Sequence, residues 1–301
     1  MNRDFLIANI LKGDYRAIAR SISIVENELE GAEEILLQLQ QKNIPVIGFT
    51  GPPGAGKSTL VNEYVRLLLL RGKKIAVLAV DPSSPFNYGA LLGDRIRMLE
   101  HYKSDHLYIR SIATRGSLGG LSDKIIDIVE VLKSAGFDYI IIETVGVGQS
   151  EVDIAGVADH TAVVLVPESG DHIQNMKAGL MEIADLFIIN KADREGADAI
   201  FNSLQQMLMF RSDYQPIPIV KTIATSKGGI VEMADLLEKL ITQNKEMNEK
   251  KIYLLACKVY RLIQRSKMKD IELNKIMSDI KSNYNKEYNI YKYIKDTYID
   301  N

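Results

Sequence analysis

The chain has 301 residues, 46% hydrophobic and 25% charged, with a net charge of −2. That composition suits one large or two modest globular domains, and the near-neutral charge argues against broad electrostatic binding of nucleic acid. No apolar stretch reaches membrane-spanning length, the Met1-Asn2-Arg3-Asp4 start lacks a signal-peptide pattern, and the lone Cys257 permits no intrachain disulfide, so a cytoplasmic protein without a membrane partner is expected.

Residues 1–42 are rich in Leu, Ile, Ala and Glu, with one Gly-Asp break at Gly13. Ile7, Ile10 and Leu11 share one helical face, and Ile35, Leu36 and Leu39 suggest another, so this stretch predicts a small helical leader. From 43 to 231, apolar runs alternate with helical patterns. The predicted strands are Ile44–Thr50, Ile75–Asp81, Leu107–Ile112, Tyr139–Thr144, Ala162–Pro167, Leu186–Asn190 and Ile217–Lys221. Several are near-continuous Ile/Val runs, as expected when helices cover both sheet faces. The fold class is therefore α/β, a doubly wound and mostly parallel sheet, with functional groups at the C-terminal strand ends. From 232 to 301 no strand or glycine loop remains. Leu255, Ala256, Val259 and Leu262 keep helical spacing, as do Leu273, Ile276, Met277 and Ile280, predicting a helical arm that packs on the core or on a second subunit.

Three motifs fall at predicted strand ends. Gly51-Pro52-Pro53-Gly54-Ala55-Gly56-Lys57-Ser58-Thr59 has the spacing G-x-x-x-x-G-K-[ST] between the first strand and an amphipathic run from Leu60 to Leu70, closed by Gly72. Such a strand–loop–helix unit cradles phosphate: backbone N–H groups of Gly54, Ala55, Gly56 and Thr59 converge on it, Lys57 reaches the β- and γ-phosphates, and Ser58 can ligate Mg²⁺. Leu186–Asn190 ends in Asn190-Lys191-Ala192-Asp193. In P-loop GTPases the Asp of N-K-x-D accepts hydrogen bonds from guanine N1–H and N2–H₂. Adenine cannot supply that pair, so such a site rejects it by about 10⁴ or more. Asn190 would bridge base and loop, the Lys191 stem would cover the guanine face, and Thr222-Ile223-Ala224 follows the last strand where a backbone N–H meets guanine O6. The third motif, Glu143-Thr144-Val145-Gly146, closes the Tyr139 strand. Glu143 reaches either a metal-bound water or the attacking water, and the Gly146 N–H can sense the γ-phosphate.

Two further carboxylates lie near the same edge. Asp81 ends the second strand and Asp94 follows in Gly93-Asp94-Arg95, suiting Mg²⁺ ligation or polarisation of water, or else a turn and a helix cap. Val147, after Gly146, cannot orient water, so intrinsic hydrolysis should be slow and open to acceleration by a partner. The Glu168–Gln174 stretch is a mobile switch or an ordinary loop. His101, His106, His160 and His172 have no metal-ligand spacing, so no structural metal site is expected.

Together with A-V-D-P-S-S-P at 79–85, L-G-D at 92–94, E-T-V-G-V-G-Q-S-E at 143–151 and K-A-G-L-M-E-I-A-D at 177–185, these motifs make the run from Gly48 to Asp193 resemble the MeaB/ArgK group of P-loop GTPases. The resemblance implies a Mg²⁺-dependent GTPase that chaperones an adenosylcobalamin-dependent acyl-CoA mutase, most familiarly methylmalonyl-CoA mutase, gating cofactor loading and protecting or reactivating the enzyme. It also implies a homodimer joined through the C-terminal arm. By the same resemblance, Lys57 and Ser58 hold phosphate and Mg²⁺. Asp81, Asp94 and Glu143 are metal and catalytic carboxylates, and Asn190 and Asp193 read guanine. The Gln149 region and the 169–177 loop with Asp171, Gln174 and Lys177 are switches that answer to the mutase. Asn175 stands where relatives often have Gly, and Ile223 where they often have Ser. The alternative readings are a maturation GTPase for another metallo- or cofactor enzyme, which usually carries Cys- or His-rich motifs, and a small-molecule kinase, against which N-K-A-D argues.

Overall fold

The computed structural model describes residues 3–40, 42–81, 104–113, 124–144, 153–169, 178–209, 217–243, 249–268, 271, 273–283 and 289–299. The leader folds as α1 (Arg3–Leu11), α2 (Tyr15–Glu26) and α3 (Ala32–Gln38). Asp14 starts α2 by accepting from the Ala17 N–H at 2.7 Å. Next come β1 (Val46–Thr50), α4 (Lys57–Leu70), β2 (Ile75–Asp81), β3 (Leu107–Ala113), α5 (Ile125–Ser134) and β4 (Tyr139–Glu143). They are followed by β5 (His160–Leu165), α6 (Ala178–Ile183), β6 (Leu186–Ile189), α7 (Ala197–Met209), β7 (Ile219–Lys221) and α8 (Ile230–Gln243). α9 (Glu249–Lys267), α10 (Leu273–Asn283) and α11 (Ile290–Ile294) close the chain.

The strands form one sheet of order β3-β2-β4-β1-β5-β6-β7, every pairing parallel. The chain runs outward from β1 in both directions, so the strand order reverses beside β1 and opens a crevice at its C-terminal end. All seven predicted strands are present: the second, Ile75–Asp81, keeps its predicted ends and the others shift by one or two residues. The first begins at Val46, because Pro45 has no N–H to give to a ladder. The fifth spans His160–Leu165, and Pro167 lies beyond it in a short turn, Pro167–Ser169. The helix expected from Leu60 starts at Lys57, inside the glycine loop's motif.

Both sheet faces are buried. On one, Ile47 and Phe49 of β1, Ile141 of β4, and Val164 and Ile188 of β5 and β6 pack with Leu60, Tyr64 and Leu68 of α4 and Met233 and Leu237 of α8. On the other, Val163, Leu165 and Phe187 pack with Leu180 of α6 and Leu204 of α7. Gly48 lies so close to Ile154 and Ala158 that a Cβ would sit 2.4 Å from the Ile154 Cγ1.

The leader docks through polar as well as apolar contacts. Arg110 on β3 bonds Glu26 at 2.6 Å and Ser23 Oγ at 3.2 Å on α2, with the two charged side chains 20% and 10% exposed. Tyr15 donates to the Asp105 carbonyl at 2.7 Å, and its ring meets Tyr108 and Phe137. Burial, then the neighbouring Asp105 charge, pushes the Tyr15 hydroxyl pKa up.

The chain's contacts group into two units, residues 1–255 and 256–301. In the second, Tyr293 stacks edge-on against Tyr298 and donates to Asp279 at 3.3 Å. Val259, Ile263, Leu273, Met277, Ile290 and Ile294 are exposed there, and the buried core among the described residues ends at Leu237.

Glu26→Ala strands the Arg110 guanidinium without its carboxylate. Its expected cost in denaturant unfolding is about 2–4 kcal/mol, the lower end reflecting the partial exposure of Arg110. Glu30→Ala removes only an exposed partner of Arg3 and should leave the unfolding midpoint unchanged. Equal shifts in the two variants would contradict this picture of leader docking.

Candidate nucleotide site

β1 ends at Thr50, and the chain turns through Gly51–Gly56 into α4. Two of these glycines are required by space. At Gly51, with φ +139°, a Cβ would lie 2.1 Å from the Val164 carbonyl oxygen; at Gly56, with φ +82°, it would lie 2.5 Å from Asn190 Nδ2. The loop is therefore pressed against β5 on one side and the β6 end on the other. Its N–H groups and the N-terminus of α4 create a positive rim suited to phosphate.

Lys57, 5% exposed, donates from Nζ to the Gly51 carbonyl at 2.8 Å and the Pro52 carbonyl at 2.9 Å. Its ammonium is thus held over the loop. Ser58, one residue on, donates to Glu143 Oε1 at 2.5 Å. Glu143 ends β4 and is buried, and its carboxylate meets the first turn of α4, where the helix dipole favours negative charge. Thr59 is half-buried on the same turn. The neighbouring Thr144 donates to Thr50 Oγ1 at 3.1 Å, tying the end of β4 to the start of the loop. The sequence reading passed over this pair; its signal was a hydroxyl residue at the end of each of two adjacent apolar strands.

The β6 end supplies the second half of the site. Asn190, 2% exposed, donates from Nδ2 to the Ala55 carbonyl at 2.9 Å. Its Oδ1 accepts from Thr222 Oγ1 and the Ala224 N–H, each at 3.2 Å. Lys191 adopts a left-handed backbone, φ +56°, and its ammonium reaches the Gly54 carbonyl at 2.8 Å. The Ala192 N–H donates to the Thr222 carbonyl at 3.0 Å, which sets the loop so that Asp193 stands exposed at its tip. The Thr222 and Ile223 N–H groups go to the Ile189 and Gly228 carbonyls. Buried Thr222 and Ala224 thus brace Asn190 from below.

Next to Asp193, Arg194 forms an ion pair with Glu168 on the turn after β5. The Glu168 carboxyl is held below the usual range by a backbone N–H and by the Arg194 guanidinium.

The structure thus brings Gly54, Ala55, Gly56, Lys57, Ser58, Thr59 and Glu143 together with Asn190, Lys191, Asp193, Thr222 and Ala224 at one sheet edge. Asp81 ends β2 at the same edge, two residues beyond Ala79, which pairs with Glu143; its side chain lies outside the described residues. Asp94, Gly146, Gln149, Asp171, Gln174 and Lys177 also lie outside them. A hydroxyl and a carboxylate, both hard oxygen donors meeting at a helix N-terminus, fit a Mg²⁺ ion better than a softer metal. Among the described residues, no group of three or more His, Cys, Asp or Glu could hold a metal by itself, and no helix is long and apolar enough to cross a membrane.

Comparison with known proteins gives the family. The sequence profile of the family described as "Methylmalonyl Co-A mutase-associated GTPase MeaB" matches residues 18–275. A Pyrococcus abyssi protein named as a GTPase is 50% identical over 244 residues, covering 78% of this chain and 75% of that protein. The mouse methylmalonic aciduria type A homolog, named as mitochondrial, is 35% identical over 258 residues, covering 78% of this chain and 62% of its own. The crystal structure of an LAO/AO transport system kinase covers 95% of each chain with a TM-score of 0.69; at 23% identity it shows the shared fold alone. The chain belongs to the MeaB family of P-loop GTPases and is, as the family's members are, a GTP hydrolase that binds guanine nucleotide.

Proposed function

We propose that this GTPase serves an adenosylcobalamin-dependent acyl-CoA mutase, with methylmalonyl-CoA mutase as the first candidate. It would gate cofactor loading and protect or reactivate the enzyme. The observation that carries this reading is the family match across residues 18–275, whose description names association with that mutase. The mouse relative's name, which refers to methylmalonic aciduria, supports the same direction.

In this reading Gly54 to Thr59 hold the phosphates. Lys57 trades its bonds to the Gly51 and Pro52 carbonyls for the β- and γ-phosphates. Asp193 accepts from the guanine N1–H and N2–H₂, while Asn190 and Lys191 fix its loop against the glycine turn. Ser58 and Glu143, with Asp81 and Asp94 beside them, would hold Mg²⁺, which when bound neutralises charge on the β- and γ-phosphates. Glu143 is buried and ends the strand adjacent to β1, a position from which it also orients water. Gly146 senses the γ-phosphate, and Gln149, Asp171, Gln174 and Lys177 answer to the mutase. The division into a leader (1–42), a GTPase domain (43–231) and an arm (232–301) that joins two copies belongs to the same proposal, as does a cytoplasmic setting. The exposed apolar side chains of α9 to α11 support the arm's part in it.

Turnover of GTP by the purified protein, with ATP as control, should be slow, specific for GTP, and raised by an adenosylcobalamin-dependent mutase from the same source. GTP turnover indifferent to the mutase would remove the partner assignment. Asp193→Asn should lose GTP affinity by about 10²-fold or more and gain preference for xanthosine triphosphate, because the amide presents a donor where guanine also donates. Unchanged GTP affinity, read by equilibrium titration, would remove the base assignment.

A further inference from the structure

The turn that ends β5 touches the base loop in two places. Glu168 pairs with Arg194, the residue after Asp193. Pro167 lies 3.8 Å from where a Cβ on Gly196 would sit, and Gly196 itself has φ +91°. A residue with a side chain at 196 would be strained there whatever the space. The segment 191–196 is thus held at both ends of its exposed part. At its start the Lys191 ammonium bonds Gly54 and the Ala192 N–H bonds Thr222; at its end Arg194 is drawn to Glu168 and Gly196 lies against Pro167. The Arg194 N–H also donates to the Lys191 carbonyl at 3.0 Å, closing a tight turn with Asp193 at its tip. Among the described residues, no hydrogen bond or ion pair fixes the direction of the Asp193 side chain, so its aim is inherited from the turn.

We infer that the Glu168–Arg194 ion pair is a positioning device for guanine recognition: it fixes the turn that aims the Asp193 carboxylate and links that turn to the end of β5. The inference rests on the reading of 190–193 as the guanine site. Both residues act through the turn, so they are positioning residues and not catalytic ones. Both side chains are about half exposed, 51% and 52%, so the effect is modest and sensitive to salt.

The test is a double-mutant cycle on GDP affinity with Arg194→Met, Glu168→Gln and the double variant, at about 20 mM and about 0.5 M salt. Each single variant should weaken GDP binding by about twofold to fivefold at low salt, and the double variant no more than either single. The charge-reversed pair, Arg194→Glu with Glu168→Arg, should recover most of the loss, and high salt should erase the differences. In turnover, KM for GTP should rise while kcat holds. Additive losses, losses that persist at high salt, or wild-type affinity in the single variants would each overturn the inference. Asp193→Asn in the same assay separates the two levels. If it keeps its guanine preference, the base-site reading falls and the inference with it. If it shifts to xanthine while the pair variants bind normally, the inference alone falls.

Discussion

One buried amide holds the two halves of this site in register. Asn190 leaves β6 with its side chain sealed from solvent, donates to the glycine loop at Ala55, and accepts from Thr222 and Ala224, just after β7. An amide offers two donors and an acceptor in a single plane, so one side chain can satisfy three groups on two segments at once. Removing it would leave the Ala55 carbonyl and the Ala224 N–H without their partner in a dry interior, at about 1–3 kcal/mol for each group. The tight approach of Gly56 to Asn190 Nδ2 follows from the same bond: the loop can come this near only because residue 56 has no Cβ. The glycine loop and the β6 end, the proposed phosphate and base halves, are therefore parts of one assembly.

The sheet supplies the rigidity on which that assembly depends. β1, β4, β5 and β6 are central strands buried on both faces, and the site residues lie at or beyond the C-terminal ends of the strands. The Thr50–Thr144 bond and the Ser58–Glu143 bond stitch β1, β4 and the first turn of α4 together, so the carboxylate and hydroxyl that suit Mg²⁺ are positioned by strand pairing. Farther out, the leader braces β3 through Arg110 and Glu26. That partly buried ion pair is costly to break, because loss of one partner leaves the other charge without compensation.

Much of this was legible in the sequence, for physical reasons. Near-continuous runs such as Tyr139–Ile142 and Ala162–Leu165 announce strands covered on both faces, and all seven strands were found with ends within a few residues. The glycine loop was readable because close backbone approach demands glycine at a fixed spacing, and N-K-A-D lies, as expected, at the end of β6 beside it. The contacts between segments were not readable. Glu168 and Arg194 are 26 positions apart, and Thr50 and Thr144 are 94 apart. Nothing in local periodicity says that such pairs meet, since strand order and not chain order brings them together. The leader's ionic docking was hidden for the same reason: Glu26 and Arg110 are 84 positions apart.

The most direct measurement is calorimetric titration of GDP and of pyrophosphate into the wild-type protein and into Asn190→Ala, with circular dichroism as a check on folding. If one amide binds the two halves together, the variant should lose affinity for pyrophosphate as well as for GDP, although pyrophosphate carries no base. A folded variant that binds pyrophosphate as tightly as wild type and loses only GDP would show that the halves act separately, and would contradict the central role given to Asn190.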